Sequence, residues 1–422
     1  MEKNEASAGN IFAIATMFAL FFMIAFVTNF ATPMGVIAKN QFNASNALSQ
    51  LGNAANFIAY LFMGIPGGLI LKRKGYKFTA LTAVAVGFTG VGVQLLSGYI
   101  GSFPVYVAGA FIAGFSMCML NLVTNPLLNT LGGGGKKGNQ LVQFGCSLNS
   151  VGATLSPIVL GWLIGEITKD TAFIKAAPAL MIAMGIFAVA FVIVAFSRIP
   201  EPHMETAEEK AARLSGQTSV VKDIVETLEF RHFTFGALAI FFYIVIEVGV
   251  PAMGFNYMTE VGKPWYVGGA VAGAVCGAYW FLMMCGRILG GVVGGKVSSR
   301  VQVSFLATLG ICLLLAAMFV PVKMITLFGR EFPLSMAFMV AVGLCTSVMW
   351  GGIFNMAAEG LDKYVPMGSG IFMAMVFGGI LIPVQGFLAD KVGILSSYWL
   401  SIALLAYVLF YSLVLSIPAK RA

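Results

Sequence analysis

The chain has 422 residues, 59% of them hydrophobic and only 10% charged, with 50 glycines and 36 phenylalanines. A water-soluble fold of this length has too little interior to hide so much apolar surface, so the composition excludes a soluble enzyme and points to an all-α membrane protein. The formal net charge of +8 comes from cations beside apolar segments and requires no nucleic-acid partner.

About twenty apolar residues cross a bilayer as a helix. Twelve runs meet that length, at roughly 11–35, 50–71, 78–99, 104–130, 141–165, 175–197, 233–257, 267–293, 302–321, 333–357, 366–388 and 393–417. The first follows Glu2, Lys3 and Glu5 with no small-residue cleavage site, and is read as a retained helix rather than a signal peptide. One long polar segment divides the runs six and six. This gives an N-terminal six-helix bundle over 1–197, a cytoplasmic linker over 198–232 and a C-terminal six-helix bundle over 233–422. The linker reads as part surface helix or as a plain connection, the second being preferred.

Positive residues orient membrane helices by favouring the cytoplasmic side. With both termini inside, seventeen of the 25 Lys and Arg fall inside, seven outside, and Arg287 within a span. Both termini are therefore expected in the cytoplasm. The halves echo each other as well: Gly67-Gly68 leads to Lys72-Arg73-Lys74, and Gly290-Gly291 leads to Gly294-Gly295-Lys296. A weak internal repeat of this kind suits a carrier with its substrate near the midplane.

Polar side chains in hydrocarbon need partners, so they mark helix contacts or a wet cavity. In chain order, Thr28, Asn29 and Thr32 precede Pro33 in span 1. Asn121, Thr124 and Asn125 share one face of span 4 before Pro126. Gln143, Ser147 and Ser150 form a stripe in span 5, with Asn149 beside it. Span 7 carries Glu247 and Asn256; span 10 carries Thr346, Ser347, Trp350 and Asn355; span 11 carries Gln385. Amides donate and accept hydrogen bonds, as sugar hydroxyls do, and Trp350 offers an apolar face for a pyranose. Each has a plainer reading: Ser and Thr bond their own backbone, Asn125-Pro126 forms a kink, and Trp350 packs.

Glu247 stands out, in the middle of the apolar run Phe233 to Tyr257. The other acids lie in tails, loops or helix ends. A carboxylate at that depth costs several kcal/mol unless compensated, and is expected to face a polar pathway and carry a coupling cation. Proton coupling is favoured if the carboxylate is buried without a cationic partner; sodium needs nearby oxygens. Arg287 is read as a snorkelling or gate-forming residue.

Nothing in the chain suggests enzymatic chemistry. Cys118, Cys146, Cys276, Cys285, Cys312 and Cys345 sit in apolar runs without metal-ligand spacing. His203 and His232 flank the linker. Gly132 to Lys137 resembles a phosphate loop in composition only, so it reads as a hinge. No cofactor, metal or catalytic residue is expected.

Several motifs carry a family resemblance: Thr124-Asn125-Pro126 with Leu131-Gly132, Leu148-Asn149-Ser150-Val151-Gly152-Ala153, Tyr243 with Glu247, Gly286-Arg287, and Pro383-Val384-Gln385-Gly386 before Asp390. On these the chain resembles the major facilitator superfamily, and within it the fucose–galactose–glucose proton symporter family (L-fucose permease-like). The resemblance implies two pseudo-symmetric six-helix bundles. It also implies site residues, from which the chain departs. Acids of the fucose-transporting members in helices 1 and 4 are replaced by Thr32 and Asn121, a helix 5 glutamine by Cys146, and a helix 10 tyrosine by Trp350. Their proton-coupled fucose uptake therefore does not carry over.

The resulting expectation is an alternating-access carrier in a bacterial inner membrane, importing a neutral monosaccharide or sugar derivative. Asn29, Thr32, Asn121, Asn125, Gln143, Cys146, Asn149, Trp350, Asn355 and Gln385 form the expected substrate set, and Glu247 couples a proton or sodium ion. The partners are a sugar, that ion and the lipid bilayer. An uncoupled facilitator, a multidrug or metabolite exporter of the same fold, and a sugar sensor are the rivals; the amide-rich helices argue against the exporter.

Overall fold

A computed structural model describes residues 2–28, 51–164, 177–214, 219–260, 262–267, 269–327 and 329–418. Each of the twelve predicted spans coincides with helix in these residues. Span 1 is α1 (Glu2–Thr28). Spans 2 and 3 form α2 (Leu51–Ile100), which breaks at Gly75 with φ 86° and ψ 177°. Spans 4 to 6 are α3 (Phe103–Leu131), α4 (Gly135–Ile164) and α5 (Ala177–Phe196). Asn29 and Thr32 lie outside the described residues.

The linker differs from the preferred plain connection. It holds two short helices, α6 (Ala207–Leu214) and α7 (Val220–Leu228), the second capped by the Ser219 side chain. Spans 7 to 9 are α8 (Arg231–Met258), α9 (Gly269–Gly294) and α10 (Ser299–Phe319). An antiparallel hairpin follows, β1 (Met324–Leu327) with β2 (Arg330–Pro333), pairing Met324 with Pro333. Span 10 divides into α11 (Leu334–Thr346) and α12 (Met349–Ala358). Span 11 divides into α13 (Val365–Ala374), a 3-10 stretch and α14 (Ile382–Val392). Span 12 begins as α15 (Tyr398–Phe410). At 1.5 Å per residue, α8 is about 42 Å long, more than a hydrocarbon core of about 30 Å.

The chain divides into two compact units. The first comprises Met1–Gly133, Leu148–Glu229 and Gly360–Phe377; the second comprises Gly134–Ser147, Phe230–Glu359 and Gly378–Ala422. The first therefore holds most of the first six spans and the linker, together with the start of span 11. The second holds the start of span 5 with most of the last six.

Within the first unit α2 packs along α3, and both α5 and α13 lie against α2. Glycine makes the α13 contact close. A Cβ built on Gly64 would stand 2.6 Å from the Gly370 carbonyl oxygen and the Ala374 amide nitrogen. Within the second unit α9 and α10 pack on α11, and α8 on α12 and α15. Large apolar side chains also point outward: Phe196 is 82% exposed, Phe319 70% and Phe305 66%. That surface suits lipid and not water.

Candidate functional site

In the first unit, Pro126 sits inside α3, one turn beyond Leu122. Lacking an N–H, it leaves the Leu122 carbonyl without its helical donor. The amides cluster here. Asn121 donates to the Tyr60 hydroxyl and to the Met117 carbonyl, each at 3.0 Å. The buried Asn125 donates to the Asn121 carbonyl at 3.0 Å and to its side-chain oxygen at 3.3 Å. Tyr60, Asn121 and Asn125 thus form one hydrogen-bonded group. Asn149 stands apart from it and donates to the Phe21 carbonyl at 3.1 Å.

The second unit holds the charges. Glu247 and Arg287 form an ion pair at 3.0 Å, with side chains only 13% and 10% exposed. Glu247 therefore has a cationic partner, so the condition named as favouring proton coupling, burial without one, does not hold, and of the two roles read for Arg287 its burial against Glu247 does not suit snorkelling. Its second amino group donates to the Cys146 carbonyl at 3.4 Å. Arg287 thereby joins three helices, α8, α9 and the start of α4.

Proline explains a further contact. Pro251 lies four residues beyond Glu247 in α8, so the Glu247 carbonyl loses its helical donor. The Tyr279 hydroxyl replaces it at 3.2 Å and also bonds the Thr346 hydroxyl at 3.1 Å. One turn earlier on α8, Tyr243 is fully buried. Its ring centroid lies 6.3 Å from that of Trp350, tilted by 56°. Carboxylate, guanidinium and aromatic faces therefore converge.

Gln143, fully buried, donates to the Val348 carbonyl at 2.9 Å, where α11 gives way to α12. The Val348 carbonyl also accepts the Gly352 amide at 2.9 Å, so the carboxamide is its second donor. Asn355 donates to the Ser299 hydroxyl at 2.9 Å, and Gln385 to the Ser401 hydroxyl at 3.1 Å. These two side chains tie helices together within the unit. The candidate residues thus fall into an amide group in the first unit, an ionic and aromatic group in the second, and single helix ties elsewhere.

The family model for the Major Facilitator Superfamily matches residues 14–382. The chain belongs to the Major Facilitator Superfamily. It is 26% identical over 408 residues to a glucose/galactose transporter of Brucella abortus, covering 96% of this chain and 94% of that one. It is 27% identical over 421 residues to a putative glucose/galactose transporter of Helicobacter pylori, covering 96% and 97%. The L-fucose-proton symporter of Escherichia coli is 22% identical over 413 residues, covering 92% and 89%. A crystal structure of the E. coli fucose:proton symporter superimposes with a TM-score of 0.81 at 17% identity, covering 96% of this chain and 98% of that one. The proton:xylose symporter XylE superimposes with a TM-score of 0.67 at 16% identity, covering 95% and 94%. The expected twelve-helix major facilitator fold is thus the fold of this chain.

For this superfamily member, the sequence reading passed over Tyr60, Tyr279 and the pairing role of Arg287. Charge neutrality offered a signal for the last: one carboxylate and one guanidinium lie deep in the same six spans. The two tyrosines carried no such signal, because their partners are an amide and a backbone carbonyl freed by a distant proline.

Proposed function

We propose that this chain is a secondary active transporter that carries a neutral monosaccharide or sugar derivative into a bacterial cell across the inner membrane, by alternating access. Similarity over at least 92% of the chain to relatives named as glucose/galactose and fucose transporters carries this reading. The site chemistry agrees with it. Within the first unit Asn121, Asn125 and Tyr60 offer donors and acceptors, and within the second Trp350 and Tyr243 offer aromatic faces, both suited to sugar chemistry. Gln143 and Cys146 in the second unit and Asn149 in the first are further proposed substrate contacts, Asn355 and Gln385 position their helices, and Asn29 and Thr32, from span 1, complete the proposed set. Both termini lie in the cytoplasm, and the bundles are divided at 198–232.

Glu247 is proposed to couple transport to a proton, a reading supported by the relative named as an L-fucose-proton symporter. It requires the Arg287 pair to open before the carboxylate takes up the proton. A buried ion pair adds little net stability compared with apolar packing, so stability alone does not account for one inside α8 and α9. Protonation of Glu247 would neutralise the carboxylate and weaken its hold on Arg287, which also bonds the Cys146 carbonyl and interacts with Tyr243. Proton occupancy would then alter contacts among three helices. Sodium is the alternative ion. An uncoupled facilitator is the second reading, favoured by the same pair if Arg287 only neutralises Glu247.

Purified protein in liposomes tests this with labelled glucose, galactose and fucose. An inward proton gradient is expected to drive accumulation of at least one sugar. Glu247→Gln is expected to lose accumulation while sugar exchange across the bilayer continues. Accumulation driven only by a sodium gradient would replace the proton, and downhill flux without accumulation would establish the facilitator. Absence of flux for all three sugars would overturn the proposed substrates.

A further inference from the structure

The apolar surface of the second unit is indented between α9 and α10. Both helices pack on α11 but scarcely on each other. The groove left between them has a volume of about 270 Å³. Leu289 and Val293 of α9 form one wall, and Val301 and Phe305 of α10 the other; all four are exposed. Leu344 and Val348 form the floor. Glycine keeps α9 tight against that floor: a Cβ on Gly286 would collide with Ser347, and one on Gly290 with Val348.

The polar side chains of the lining, Gln302 and Ser347, are spent within the protein. Gln302 donates to the Val297 carbonyl at 2.8 Å and Ser347 to the Leu344 carbonyl at 2.6 Å. The groove is therefore apolar except at one end. Leu289, Val293 and Lys296 recur at helical spacing, and the turn carries on past α9, with the Lys296 amide donating to the Val293 carbonyl at 2.9 Å. Lys296 is exposed and has no ion pair among the described residues. No acidic residue occurs from Gly286 to Lys323. At about 1.5 Å per residue, Gly286 to Lys296 covers about 15 Å, half of a hydrocarbon core about 30 Å thick. An apolar trough as long as one leaflet is deep thus ends at a cation.

We propose that this groove is a phospholipid site: one acyl chain lies between α9 and α10, and Lys296 holds the phosphate of an anionic headgroup on the same molecule. A helix about 10 Å across fills roughly 1,200 Å³ over that length, so the groove is too small to seat a helix of a second copy. An extended chain needs no hydrogen bonds from the walls, and the walls offer none. The headgroup meets the charge it lacks. The tail rests against Val348, at the break between α11 and α12, where Gln143 bonds the backbone. The site requires only the membrane-spanning fold, and it stands or falls apart from the sugar and the coupling ion.

Phosphatidylglycerol carrying a diazirine at the end of one acyl chain tests this on the purified full chain in detergent. After irradiation, the labelled residues are mapped by peptide mass spectrometry. Labelling is expected to concentrate at Leu289, Leu344 and Val348. Unlabelled phosphatidylglycerol is expected to displace it about fivefold better than phosphatidylcholine, as for one lysine beside an anionic headgroup. Lys296→Gln is expected to abolish that preference, whereas Lys323→Gln, which removes an equal charge elsewhere, leaves it. Val293→Trp fills the groove and is expected to lose the labelling with an unchanged gel-filtration profile. If Val293→Trp does not fold, the two lysine variants decide alone. Labels spread evenly over the apolar surface, a groove left unlabelled because a second copy covers it, labelling retained in folded Val293→Trp, or a headgroup preference that survives Lys296→Gln would each overturn the site.

Discussion

Arg287 Nη2 lies 3.0 Å from Glu247 Oε1, although the two residues stand on different helices, α9 and α8. Neither charge is deep in the bundle alone. Removing one partner strands the other, which costs about 3–5 kcal/mol, whereas replacing both is nearly neutral. Glu247→Ala and Arg287→Met are each expected to lower the unfolding temperature in detergent sharply. The double variant is expected to recover most of that loss. Additive losses in the thermal melts would show that the two side chains act independently.

The Tyr279 hydroxyl serves the backbone beneath this pair, because Pro251 cannot donate to the Glu247 carbonyl. Tyr279→Phe keeps the ring and removes the donor. The stranded buried carbonyl is expected to cost about 1–3 kcal/mol. Proton-driven accumulation should weaken as well, since the carboxylate would hang from a looser turn. Melting temperature and uptake measured on the same preparation check both effects. A variant as stable as the parent would mean the carbonyl has found another donor.

The helices were legible in the sequence because length and hydropathy alone decide whether a segment can cross a bilayer. Glu247 was legible for the same reason, as an acid where acids are costly. Its partner was not, since the pairing joins residues 40 apart in sequence through the packing of α8 on α9. The amides at 121 and 125 were read correctly as sharing one face, but their bond to Tyr60 depends on how α2 packs on α3. The hairpin at Met324–Leu327 and Arg330–Pro333 went unread: two strands of four residues each are too short for an alternating pattern to show. The linker helices were obscured by the linker's charge, which reads equally well as solvated coil. What identifies α7 as part of the fold is tertiary, namely the pairing of Asp223 with Lys72 and of Glu226 with Tyr364.

Gly75 and Glu201 form a cap made across the first unit. The break at φ 86° leaves the Tyr76 and Lys77 amides at the start of a new helical run, and the Glu201 carboxylate receives both. Glu201→Ala is expected to cost about 1 kcal/mol, as for loss of an N-cap. Gly75→Ala should cost more. It forces a side chain into backbone angles that essentially only glycine adopts, at about 1–3 kcal/mol, and its Cβ would also run into the Glu201 carboxylate. Combining the changes relieves the collision but not the strain. Thermal melts should therefore place the double variant above the sum of the single losses.

His203 adds a pH dependence outside the spans. Its Nδ1 lies 2.7 Å from the Tyr76 hydroxyl. Burial pushes the imidazole below its ordinary 6.5, while the charge of Asp362 opposes the shift. The Glu201 carboxylate receives the Tyr76 amide, and burial raises its carboxyl despite the two backbone amides it receives. For the histidine, the unfolded chain takes up a proton before the folded one does. Stability from this group is then complete above the unfolded value and falls as pH drops below it. For Glu201 the folded state holds its proton longer, so its contribution runs the other way, being present at low pH and lost as pH rises through the raised value. The two are separated by His203→Gln. Between about pH 7.5 and about pH 5.5, the parent protein is expected to lose more melting temperature than this variant. Equal losses would mean that His203 protonates in the fold as readily as in the unfolded chain.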